Sequence, residues 1–133
     1  MSQETVISNN NQIILTTGIY DLIKDHIRRK KVTPQEEEIL RQQLKNAKQV
    51  TRKNLPGDIV TIDAQVTVKN HSNEQIETFH FVAPDKAKKK NRTESILSPV
   101  GLALVGCKEG DLVTWTFEDG VKQLEVIKVE RAA

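Results

Sequence analysis

The chain has 133 residues, 29% of them charged, with a formal net charge of +2 and one cysteine. That length holds one ordinary core, or a small core with an extension, and the composition favours a folded soluble chain over a disordered one. A lone cysteine excludes an internal disulfide and any CxxC-type zinc site, and 4% aromatics argues against stacking platforms for single-stranded nucleic acid.

No apolar run approaches the roughly 20 residues that span a bilayer. The polar start "MSQETVISNNNQ" lacks the charged-then-apolar form of a signal peptide, so a cytoplasmic location is expected. Charge is uneven along the chain: residues 1–57 carry 10 Lys/Arg against 6 Asp/Glu, and the remainder carries 10 against 12. Such asymmetry fits an extension facing an acidic partner, and equally two ordinary solvated surfaces.

Residues 1–11, rich in Ser and Asn, are expected to form a flexible tail. From Gln12 to Lys31, Leu15, Ile19, Leu22, Ile23 and Ile27 recur at three- and four-residue steps, which predicts a helix interrupted only by Gly18. "VTPQEEEIL" then signals a helix start. Thr33 suits the N-cap, Pro34 the first helical position, and Glu36 the far side of a capping box. Glu37 and Glu38 favour the positive end of the helix dipole. Ile39, Leu40, Leu44 and Ala47 continue a second stripe, with Lys45, Lys48, Arg52 and Lys53 towards its end. The short turn predicts an antiparallel helical hairpin, a short coiled coil over residues 12–54, with arms of about 18 residues or about 27 Å.

After "NLPGD" the period changes to two. Val60, Ile62, Ala64, Val66 and Val68 share one face of a predicted strand, "NHSNE" turns, and "QIETFHFVA" returns as a second strand. "PDKAKKKNRTE" reads as a charged loop. In "SPVGLALVGCKEGDLVTW", Ser98 suits an N-cap, Pro99 the first helical turn and Gly106 a C-terminal stop. A helix apolar on every side is buried, so this one should pack on a sheet. Asp119-Gly120 signals a two-residue hairpin, pairing Trp115 with Leu124 and Val113 with Val126, and a bulge is expected just after Val126.

The order and spelling of "SILSPVGLALVGCKEGDLVTW" and "DGVKQLEVIKVE" closely resemble the C-terminal domain of the bacterial GreA/GreB transcript-cleavage factors. The matching pieces are Ser98-Pro99, Gly101, Ala103-Leu104, Gly106, Gly110-Asp111, Gly120-Val121 and Leu124-Glu125-Val126, with "FVAPDKA" upstream. The resemblance implies an α+β chain whose residues 55–133 form an FKBP-like antiparallel sheet domain with one short packed helix. It also implies docking on RNA polymerase at the rim of the secondary channel, for which Ser98, Pro99 and Val100 are the candidate contacts. Family members carry an acidic pair at the tip of a long coiled coil that helps hold the catalytic magnesium. Here the tip instead carries Arg28, Arg29, Lys30 and Lys31, followed by Glu36, Glu37 and Glu38. In this respect, and in its short arms, the chain is similar to the regulators of nucleoside diphosphate kinase.

A non-catalytic, monomeric polymerase-binding regulator without cofactor or metal is therefore expected. The alternative is an active cleavage factor using Glu36, Glu37 and Glu38. Lys86, Lys88, Lys89, Lys90 and Arg92 could contact phosphates weakly, although a solvated loop accounts for them too. His26, His71 and His80 are too scattered for a metal set, and Cys107 reads as an inert, partly buried thiol. Fold analogy alone would suggest a prolyl isomerase, against which the scarcity of aromatic residues counts.

Overall fold

The period-two segments beyond residue 58 pair into a curled five-stranded sheet. The computed structural model describes residues 12–88, 93–117 and 119–131; the expected tail over 1–11 lies outside them. The strands are β3 (Ala64–Asn70), β4 (Gln75–Val82), β5 (Thr93–Ser95), β6 (Leu112–Phe117) and β7 (Gly120–Arg131), in the order β5-β4-β3-β7-β6. All neighbours are antiparallel except β4 and β5. Ala64, Val66, Val68, Phe81, Val113, Trp115, Leu124 and Val126 are buried on its inner side. The β3–β4 turn is held by two short local bonds: Asn70 Oδ1 accepts from Ser72 N–H, and Asn73 Oδ1 from Gln75 N–H.

Three sequence expectations in this region need correction. The first sheet strand begins at Ala64, four residues later than the alternation starts, because Asp63 sits at φ 68° and breaks the ladder. Val60 pairs elsewhere: its N–H donates to Cys107 O at 2.8 Å and its carbonyl accepts from Gly106 N–H at 2.9 Å. The β6–β7 hairpin is also displaced by two residues, pairing Val113 with Leu124 and Trp115 with Lys122, with Phe117 opposite Gly120. Gly120, at φ 127°, joins the strand and the turn falls one position earlier. A shift of two preserves side-chain parity, so the same four side chains still face inward. Finally, the charged loop after β4 contains a 3-10 turn over Pro84–Lys86 and the short strand β5.

The bulge after Val126 is present. Thr67 pairs with Lys128 and Val68 with Val126, leaving Ile127 as the extra residue, exposed between buried Val126 and Val129. Glu109 Oε1 accepts the Val129 N–H at 3.0 Å beside this interruption.

The helix α3 (Pro99–Leu104) forms as expected. Ser98 Oγ accepts from Gly101 N–H at 3.1 Å, Pro99 opens the helix, and Gly101 to Leu104 are buried. Six residues are too few for a helix to persist alone. Burial of side chains such as Leu102 and Leu104, each worth about 2 kcal/mol, holds it.

The N-terminal segment departs most from expectation. Residues 14–16 are a strand, β1 (Ile14–Thr16), and α1 runs only from Thr17 to Arg28. Thr16 is extended and its Oγ1 accepts from Ile19 N–H, which makes it the N-cap and places Gly18 in the first turn. α2 (Pro34–Asn46) has the complete capping box: Glu36 N–H donates to Thr33 Oγ1 at 3.1 Å and Thr33 N–H to Glu36 Oε1 at 3.0 Å. It ends where Ala47 turns extended, and Lys48–Val50 form β2, parallel to β1. Helices of 12 and 13 residues reach about 18–20 Å, short of the expected 27 Å. Residues expected to lengthen both arms are used as strand because β1 finds backbone partners: Ile14 N–H donates to Gly106 O and Lys48 N–H to Ile13 O. Ile19, Ile23 and Ile27 of α1 and Ile39, Leu40 and Leu44 of α2 join one buried cluster with the sheet and α3. Among the described residues no helix is long and apolar enough to cross a membrane.

Gly106 has φ 83°, and a Cβ there would stand 2.8 Å from Ile13 Cβ and 2.9 Å from Leu15 Cδ2. Gly106→Ala is therefore expected to destabilise the protein by about 2–4 kcal/mol, read from urea unfolding midpoints. Thr33→Ala removes one half of the capping box and should cost about 1 kcal/mol in the same measurement.

Candidate functional site

At the start of α3 the chain turns tightly. Leu97 N–H donates to Ser95 Oγ at 3.0 Å, and Ser98 N–H to Ser95 O at 3.0 Å. These bonds fix Ser98 as a half-buried cap and leave Pro99 exposed. Of the three candidate contact residues, Ser98 and Val100 line different clefts, with the exposed Pro99 between them. Ser98 opens onto a cleft of about 400 Å³ whose far wall is α1 and the residue that caps it, through Leu22, Asp25, His26 and Arg29, and whose near wall includes Pro84 and Leu97. Val100 points into a separate, smaller cleft of about 140 Å³ at the end of the sheet, with Phe79, Phe117 and Leu124.

Between the helices, the basic cluster and the glutamates have distinct local partners. Asp25 is bridged by Arg28 and, at 3.0 Å, by Arg29. Lys30 takes φ 59° where α1 ends, its N–H donating to Ile27 O. Glu36 is buried with its carboxylate accepting the Thr33 N–H. Glu37 pairs with Arg41 at 2.8 Å, and that hydrogen bond holds its carboxyl below the usual carboxylate range. Glu38 is exposed. Among the described residues, no three His, Cys, Asp or Glu side chains are grouped so as to hold a metal ion.

Of the basic loop, Lys86 and Lys88 are exposed, while Lys89, Lys90 and Arg92 lie outside the described residues. The loop is pinched at its base, where Lys88 N–H donates to Thr93 Oγ1 at 2.8 Å. His71 lies 2.8 Å from Glu125 Oε1, and Cys107 is fully buried behind α3.

Sequence reading overlooked the cleft wall contributed by α1. Leu22 was legible only as a stripe residue and His26 only as a scattered histidine, and nothing local to them signals an approach to Leu97 and Ser98, some seventy positions away. His26 is partly buried there, and desolvation holds its imidazole below the ordinary value against the opposing pull of Glu36. The folded protein thus binds a proton at His26 less readily than the unfolded chain does. Its contribution to stability is complete above about pH 6.5 and is lost as pH falls from there through the lower folded value. Comparing wild type with His26→Gln by urea unfolding between pH 7.5 and 5 should show the variant losing less stability on acidification.

The family model described as "Transcription elongation factor, GreA/GreB, C-term" matches residues 55–131. GreA of Clostridium beijerinckii is 38% identical over 93 residues, which is 70% of this chain and 58% of that protein. The regulator of nucleoside diphosphate kinase of Escherichia coli K12 is 33% identical over 92 residues, 68% of each chain. The solved structure of a GreA/GreB elongation factor from Nitrosomonas europaea shares the fold, with a TM-score of 0.65 and 23% identity over 91% of this chain and 99% of that one. The chain spans 58% of the length of the GreA relatives it matches. With more than half of its residues matched by the family model, and α3, the bulged β7 and the Gly106 stop all lying within the match, the chain belongs to the GreA/GreB transcription factor family.

Proposed function

We propose that this protein is a non-catalytic transcription regulator that binds bacterial RNA polymerase near the secondary channel. Binding runs through an FKBP-like domain of residues 55–133, with Pro99 at the centre of the contact, and α1 and α2 act as an abbreviated hairpin. It works in the cytoplasm as a monomer. Family membership supports the partner, and the likeness to the regulator of nucleoside diphosphate kinase supports a regulatory role.

The observation that carries the non-catalytic reading is the fate of the glutamates at the start of α2. A carboxylate pair that shares a magnesium ion must leave its oxygens free and close together. Glu36 is instead spent on the Thr33 cap, and Glu37 on Arg41. Arg28, Arg29, Lys30 and Lys31 precede them, and cations there oppose the approach of a divalent metal. Lys86 and Lys88 add at most a weak, salt-sensitive contact to nucleic acid.

Two measurements test this. Pro99→Glu should abolish co-precipitation with core polymerase while leaving the thermal unfolding midpoint unchanged; intact binding would remove α3 from the interface. A stalled elongation complex given the protein and magnesium should keep its transcript length. Transcripts shortened in a manner that depends on Glu36, Glu37 and Glu38 would establish a cleavage factor instead.

A further inference from the structure

The cleft beside Ser98 has walls from two distant parts of the chain. One is the turn before α3, through Ser95, Leu97 and Ser98 with Pro84 beside it; the other is a face of α1 and the residues that follow it. Its floor is apolar, from Leu22 and Leu97, and its rim is cationic. Arg29 and Lys31 lie on the α1 side, both exposed, and Lys86 stands two residues from Pro84 on the other. The one carboxylate in the lining, Asp25, already carries ion pairs from Arg28 and Arg29. Arg28, Arg29, Lys31 and Lys86 outnumber Asp25 and the exposed Asp85 beside Pro84, so the cleft presents an apolar slot with net positive charge around it.

We propose that the docking surface is this composite cleft rather than the start of α3 alone, and that its occupant is an acidic protein segment carrying one bulky apolar side chain. The apolar side chain fills the slot over Leu22 and Leu97, and the flanking carboxylates meet Arg29, Lys31 and Lys86. Charge complementarity of this kind speeds association and makes affinity salt-dependent. The inference rests on the polymerase-binding reading and adds to it a second wall and the chemistry of the partner segment. It also gives α1 a role in binding independent of any entry into the channel.

The test uses the full chain and nucleic-acid-free core polymerase, with affinity measured by fluorescence anisotropy at 50 and 200 mM salt. Arg29→Glu/Lys31→Glu reverses the rim; Lys24→Glu/Lys45→Glu makes the same charge change in the groove between α1 and α2, away from the cleft. Circular dichroism melts check that each variant is folded. The expected result is at least a tenfold loss of affinity for the Arg29/Lys31 variant at 50 mM salt, a smaller difference at 200 mM, and at most a twofold change for Lys24/Lys45. If Pro99→Glu abolishes binding while the Arg29/Lys31 variant binds within twofold of wild type, the composite cleft is wrong and the α3 contact stands. Equal losses in both charge-reversal variants would also overturn it, since the attraction would then be diffuse. Failure of the wild type to bind core polymerase would overturn both readings together.

Discussion

The backbone at Gly106 joins the parts of this molecule. Its carbonyl accepts the Ile14 N–H at 3.0 Å, and its N–H donates to Val60 O at 2.9 Å. One residue in the left-handed region therefore ends α3, ties the segment before β3 to the sheet domain, and anchors β1. Ile13 and Leu15 close over it at distances that leave no room for a side chain. β2 and both N-terminal helices follow from β1, because β2 pairs with β1 and the helices lie between them. A close approach of backbone to backbone, open only to glycine, sets the position of β1, β2 and the two helices between them.

That anchoring explains why the N-terminal segment is not two long free arms. A helix extending from Gln12 would take the backbone of residues 13–16 away from the partners it has on Gly106 and on β2. As a strand, the segment buries Ile13 and Leu15 and its backbone is paired. Tertiary hydrogen bonds and burial outweigh helix propensity differences of a few tenths of a kcal/mol per residue. The consequence for function is spatial: α1 lies along the turn before α3 and turns a ledge into a cleft.

The region between the helices shows how one side chain can be placed by local structure and removed from chemistry by the same bond. Glu36 in the capping box satisfies the backbone N–H of Thr33 and is buried in doing so. The neighbouring basic residues are partly neutralised on α1 itself, through Asp25. The electrostatics of the turn are thus those of a well-capped helix pair, and because Arg28 and Arg29 share the single Asp25, net positive charge remains with Lys31 at the border of the cleft.

Local rules were legible in the sequence wherever a feature is settled within a few residues. The caps at Thr33 and Ser98, Pro34 and Pro99 in the first helical turns, the Gly106 stop, the turn after Asn70 and the bulge at Ile127 depend on near-neighbour geometry, and the family resemblance followed from the same stretches. Four features depended on partners far along the chain. They are β1 in place of a helical turn, the end of α2 at Asn46, the two-residue hairpin displacement and the α1 wall beside Ser98. In the hairpin, parity preserved the buried face, so pattern alone could not separate two registers that bury the same side chains. In the N-terminal segment, the apolar spacing of Leu15, Ile19 and Ile23 suits a helix, and only the carbonyl of Gly106, ninety residues away, decides otherwise for residues 14–16. Composition and spacing determined which side chains are buried; long-range backbone pairing decided which surfaces those buried elements bring together.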